Sequence, residues 1–241
     1  LSAGSGAVAS TLTDALGRFR LDGEPARRSP PAPGTRLAAG PLTDEARSIQ
    51  AAAIDTSGLG SGPRSEMRAR VEKTIFAVDV LAMRLRVDGA TASRLDGAAG
   101  SGPYDSELGD TLAALVFGAR DAWATVDFHR GFGLGRMTAG IRRNVRGAVD
   151  AGMIDTPTYR AMTDSLPRWL HFLQGRGVHE GDTLHYRIRR DTVRVLYLAE
   201  DGRVLADEAQ VSRVRRNAIL ARYLAPGSDF REGLLRSLFP R

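Results

Sequence analysis

From Val71 onward the chain alternates. Val71, Lys73, Ile75, Ala77, Asp79, Leu81, Met83, Leu85 and Val87 fall on one face of an extended segment, and most are apolar. Phe76, Val78 and Val80 make part of the opposite face apolar too. Such a strand is covered on both sides, so the pattern predicts one long strand over 71–87 packed between helices and neighbouring segments. A Gly/Ser/Asp-rich connection, Asp96–Ser106, leads to a predicted helix over Glu107–Arg120, then a short strand over Ala122–Phe128. Gly131–Gly135 breaks that strand. In Arg136–Ala151, Met137, Ile141, Val145 and Val149 recur four apart, the spacing of one helix face.

Asp155-Thr156-Pro157 supplies a capping oxygen and a first-turn proline, which starts a helix running to about Gln174 with a kink at Pro167. A turn at Glu180-Gly181-Asp182 opens a meander of strands over Leu184–Arg189, Val193–Ala199 and Arg203–Ala206, with Asp201-Gly202 as a hairpin turn. A helix through Val211, Val214, Ile219, Leu220 and Leu224 stops at Pro226-Gly227, and Asp229–Phe239 forms a last short helix. Strands and helices are partly segregated. The fold class is therefore α+β with a mainly antiparallel sheet.

Residues 1–53 differ. They are rich in Ala, Gly, Ser and Pro and contain Ser29-Pro30-Pro31-Ala32-Pro33-Gly34. The expectation is a flexible arm with one short helix near Thr11–Phe19, ahead of a folded domain over 54–241.

Composition narrows the function. At 42% apolar and 26% charged the chain is of ordinary globular type, and no apolar run approaches the ~20 residues that cross a bilayer. Cysteine is absent, which excludes disulfides, thiolate zinc sites, iron–sulfur clusters and cysteine nucleophiles. The chain opens at Leu1 with no basic segment followed by an apolar stretch, so no signal peptide is expected within it. Localisation stays unassigned, with export open. The net charge is +6, carried by arginine with Lys73 as the single lysine. So lopsided a ratio points to coding bias more than to phosphate binding.

Three arginine clusters, Arg142-Arg143 with Arg146, Arg187 with Arg189-Arg190, and Arg213 with Arg215-Arg216, lie among apolar residues and read as solvated faces. Aromatic residues are only 6%, too few for stacking platforms, so nucleic acid is not an expected partner. His129, His171, His179 and His185 form no metal-binding spacing, and no metal or cofactor is expected. Gly131-Phe132-Gly133-Leu134-Gly135 has the wrong spacing for a dinucleotide turn. No G-x-S-x-G elbow is present.

Gly58-Leu59-Gly60-Ser61-Gly62-Pro63-Arg64 lets the backbone approach a ligand and follows with five guanidinium donors. Together with Lys73-Thr74-Ile75-Phe76-Ala77, Glu180-Gly181-Asp182 and the leucine-rich Phe230–Leu238, this order of segments resembles the chalcone isomerase family in its broad, largely non-plant sense, over roughly Ile54–Arg241. The resemblance implies an open-faced β-sandwich, a large antiparallel sheet with helices on one face. It places the family's cationic arginine at Arg64, its threonine at Phe76, its tyrosine at Met137 and its asparagine at Asn144. Both hydroxyls are gone, and each lost donor removes about 2–4 kcal/mol of transition-state stabilisation. The catalytic residues stay unassigned. The expectation is a non-catalytic domain binding a small apolar carboxylate such as a fatty acid. Phe76, Val78, Met137 and Ile141 would line its cleft, with Arg64 and Asn144 as polar contacts. An intramolecular lyase or isomerase acting on a phenolic or acidic substrate, and a partner-binding scaffold without ligand, are the alternatives.

Overall fold

The computed structural model describes residues 55–72, 79–100 and 102–240. Six strands form one antiparallel sheet in sequence order: β1 (Glu66–Glu72), β2 (Asp79–Val87), β3 (Asp121–Phe128), β4 (Thr183–Arg189), β5 (Thr192–Leu198) and β6 (Val204–Val211). The helices are α1 (Gly89–Ala99), α2 (Ser106–Phe117), α3 (Leu134–Asp150), α4 (Thr156–Trp169), α5 (Arg213–Leu224) and α6 (Arg231–Arg236). Their buried residues meet one face of the sheet in a single core. The fold is α+β, a six-stranded antiparallel sheet with helices on one side.

Register explains the layering. Met83 pairs with Val126 and Leu85 with Ala124, Val126 pairs with Leu184, and Leu184 with Tyr197, so one apolar row crosses the sheet under the helices. Each step of one residue along a strand turns the side chain to the other face.

The single strand expected over 71–87 is two strands. Met67 pairs with Leu85 and Val71 with Leu81, both rows facing the core. Alternation runs through both strands alike, and residues 73–78 contain no Gly, Pro, Asn or Asp to mark a reversal.

Helix α1 was not expected: it lies ahead of the connection expected over Asp96–Ser106 and takes in that connection's first four residues. Asp88 caps α1 by accepting from the Thr91 N–H at 2.8 Å, and from the N–H groups of Arg120 and Asp121 at 3.0 and 3.2 Å. Burial alone would raise this carboxyl, yet those donors hold it below the usual range. The glycines and serine of α1 concealed it, because only Thr91, Ala92, Leu95 and Ala99 are buried.

Two boundaries move. α4 ends at Trp169, two residues past Pro167, and a short 3-10 turn over His171–Leu173 takes the place of its predicted last turn. β6 runs to Val211, which is 77% exposed rather than part of a helix stripe, and Ser212 caps α5. An edge strand with a solvated face carries little apolar signal.

Two of the arginine clusters are not wholly solvated. Arg187 is 5% exposed and donates to the carbonyls of Ala122, Ile188 and Ser57 at 3.0, 2.9 and 2.8 Å. Arg215, also buried, contacts Glu208 at 3.2 Å and lies over the Trp169 ring. Backbone carbonyls, a carboxylate and an aromatic face replace water around these cations. Arg142, Arg143 and Arg146 stay exposed.

Candidate functional site

A cavity of about 120 Å³ opens between the core-facing side of β1–β3 and the helices α3 and α5. Val71, Leu81, Val126 and Phe128 form its sheet wall; Met137, Gly140, Ile141 and Asn144 form its helical wall. The four helical positions lie three or four residues apart, so α3 turns them all to one side. A smaller space of about 40 Å³ adjoins it under α4 and shares Met137, Ile141 and Arg222 as walls.

Arg222 is the chemical centre. Its residue is 9% exposed, at the last turn of α5, facing an enclosure whose walls are mostly apolar. Its guanidinium lies 4.3 Å from the Tyr223 ring centroid and 5.4 Å from that of Tyr186, and donates to the Tyr223 hydroxyl. No carboxylate pairs with it among the described residues, although a buried cation ordinarily has one. Aromatic faces compensate part of the lost hydration. Burial pushes the Tyr223 phenol well above its ordinary value, so it is a neutral hydroxyl beside the cation.

Two more polar features complete the enclosure. The Asn144 Oδ1 is buried without a hydrogen-bond partner. At the mouth, Arg143 pairs with Asp229 at 2.8 Å, and Arg136 adds a second exposed cation to the rim. Chemically the site offers a small apolar volume, one charged fork of N–H donors, two phenols and one unsatisfied amide. It suits an anion with an apolar body. Among the described residues no group of three His, Asp or Glu is placed to hold a metal ion.

Of the residues singled out in the sequence, Met137, Ile141 and Asn144 come together on this wall. Phe76 and Val78 lie outside the described residues. Arg64 does not reach the cavity. Its guanidinium donates to the Leu238 carbonyl at 3.1 Å and to the carbonyl and carboxylate of Asp96 at 3.0 and 3.1 Å. It precedes β1 at the Val87 end of the sheet, whereas the cavity lies at the Val71 end, about 20 Å further along the strand. The Gly-rich turn before it serves packing: a Cβ on Gly60 would stand 3.3 Å from the Gly89 Cα and 3.2 Å from the Ala92 Cβ.

Sequence reasoning missed Arg222, Tyr186 and Tyr223. One signal was present, because Arg222 follows Ile219 by three residues and so falls on the apolar stripe of α5.

No family model matches the chain, and neither does any curated protein. Among solved structures it is similar to a fatty-acid binding protein of Arabidopsis thaliana, at 13% identity and a TM-score of 0.44, over 75% of this chain and 93% of that one. At that identity the site is read from its own geometry.

Proposed function

We propose that this domain binds a small apolar carboxylate in the cavity between the sheet and α3/α5, with Arg222 as the anion anchor. The observation that carries the reading is a buried guanidinium, without a carboxylate partner among the described residues, in the wall of an apolar cavity. A ligand carboxylate would supply the missing charge through a two-pronged hydrogen bond, and the Tyr223 and Tyr186 hydroxyls could add donors. The size points to a short acyl chain or a single ring, since a dry cavity of about 150 Å³ admits benzene. Met137 and Met162, both flexible, border the two spaces and can yield to a somewhat longer chain.

Titration calorimetry with hexanoate, octanoate and phenylacetate, each against its matching alcohol, tests the reading. The carboxylates should bind and the alcohols bind weakly. Arg222→Met should weaken the carboxylates at least about tenfold, or 1.4 kcal/mol, with Arg222→Lys between the two. Equal affinity for acid and alcohol, or an affinity indifferent to Arg222, would remove the anchor. Failure of every carboxylate to bind would favour a scaffold whose cavity is closed by its own side chains.

A further inference from the structure

A second group of cations stands at the other end of β3 from the cavity. The cavity touches Phe128, the last residue of that strand, and the 8 residues of β3 span about 24 Å. At the Asp121 end, where β3 pairs with Arg189 of β4, the surface opens into a cleft of about 350 Å³. Arg120, Arg187, Arg189 and Arg190 line it together with Ser57 and the half-buried Asp121. Four guanidiniums and one carboxylate therefore share the lining.

Arg187 is the buried member. Its two terminal nitrogens donate to the carbonyls of Ala122, Ile188 and Ser57, and its Nε is buried without a hydrogen-bond partner. Burial and then the charge of Arg189 lower its pKa, while Asp121 and Asp55 act against them from a distance. A buried cation beside a second cation is short of negative charge. Arg189 engages Asp55 and the Ser57 hydroxyl. The exposed guanidiniums of Arg120 and Arg190 have no hydrogen-bond or ion-pair partner among the described residues.

The backbone holds those two residues side by side, because the Arg190 N–H donates to the Arg120 carbonyl at 2.8 Å. Arg190 is also the one non-glycine among the described residues with a positive φ, 51°. It lies in the two-residue turn between β4 and β5, where asparagine or glycine would relieve the strain. Backbone conformation gives no reason for an arginine there.

We propose that this cleft binds a phosphate group, free or as a monoester, held by the Arg120 and Arg190 forks beside the buried charge of Arg187. A carboxylate presents two oxygens in one plane and suits a single fork. A phosphate spreads nearly two charges over three terminal oxygens, so forks from two chain segments can bind it together. The site is separate from the apolar cavity and does not depend on what fills that cavity.

Titration calorimetry of the full chain with inorganic phosphate and with glycerol phosphate, each against the dicarboxylate malonate, tests the proposal. At low salt a phosphate should bind at millimolar concentration or below, and malonate severalfold more weakly. Arg120→Gln and Arg190→Gly should each weaken phosphate binding severalfold, whereas Arg142→Gln, on the exposed side of α3, should leave it unchanged. Arg190→Gly should also raise the thermal midpoint of the free protein, because glycine accepts the turn conformation, so its lost binding cannot be lost folding. Tighter binding of glycerol phosphate supports a monoester as the ligand, and tighter binding of inorganic phosphate supports the free anion. Failure of both phosphates to bind, or malonate binding as tightly, overturns the proposal. Equal weakening by Arg142→Gln also overturns it, since the attraction would then be that of the whole charged surface.

Discussion

The two faces of the sheet bury different things for different reasons. The helix face is apolar from β1 to β5, with Met67, Met83, Val126, Leu184 and Tyr197 in one continuous core, and among the described residues its buried polar side chains include Asn144, Arg215 and Arg222, of which Asn144 and Arg222 border the cavity. The outer face is built of polar and charged residues around a small apolar centre: Arg84 lies over the Trp123 ring, Trp123 stacks on His185, and Thr125 and the His185 Nδ1 are 2.9 Å apart. On the first face a charge is the exception within hydrophobic packing, and the proposed ligand site rests on that exception. On the second, the buried Leu196 and Leu198 are the exception among polar residues. An exception to the local environment is more informative than the environment itself.

The largest test of this contrast is Leu196. If the outer face is covered, Leu196→Ala should cost about 3 kcal/mol, as for a fully enclosed leucine. Val211→Ala, on the same face but exposed, should stay within about 0.5 kcal/mol. Urea denaturation of both variants measures the difference, and two equally small losses would mean an open face.

Acid should distinguish the faces next. Burial, first of all, draws the His185 imidazole down to about 4, with Arg84 adding to the shift and Asp127 opposing it. An unfolded histidine titrates near 6.5, so the folded state prefers the neutral ring. That contribution is complete above pH 6.5 and is lost as the pH falls toward 4, about 2–3 kcal/mol in all. His185→Gln should flatten the urea midpoint across this window. A second loss should begin below pH 4 from Asp182. Burial alone would raise that carboxyl, but hydrogen bonds from Arg176, the His179 N–H and Tyr197 hold it to about 2. The two windows separate the outer face from the turn that opens the meander.

Arg64 sharpens the location of the anion. Arg64→Ala loses contacts to Leu238 and Asp96 and should cost about 1 kcal/mol, while leaving carboxylate affinity unchanged. A matching loss of affinity would return the anchor to Arg64. Gly140 tests the same location from the cavity wall. A Cβ there meets nothing within 4 Å, and the position borders the cavity. Gly140→Leu should raise stability by up to about 1 kcal/mol through helix propensity and yet abolish carboxylate binding by filling the space. Stability and binding moving in opposite directions would place the ligand on the helix face.

Much of this architecture was legible in the sequence. Short strand segments bounded by glycine breaks and turns marked β3 to β5, four-residue spacing marked α3 and the positions of Met137 and Ile141, and Asp155-Thr156-Pro157 fixed the start of α4. These signals are local, because a side chain's direction follows from its place in a helix or strand. The reversal between β1 and β2 escaped, since both strands bury alternate residues on the same side and alternation does not register a change of direction. α1 escaped because four buried positions among glycines and serine leave a weak stripe.

Only the tertiary structure decided which arginine faces the cavity and which face of the sheet is covered. Arg64 and Arg222 are chemically identical, and the sequence places neither relative to the space between sheet and helices. Strand order and register put Arg64 at the Val87 end among carbonyls, and the packing of α5 on the sheet put Arg222 at the cavity wall. Whether a cation is solvated, paired or open to a ligand depends on atoms distant in sequence, because desolvation and Coulomb attraction act through space rather than along the chain.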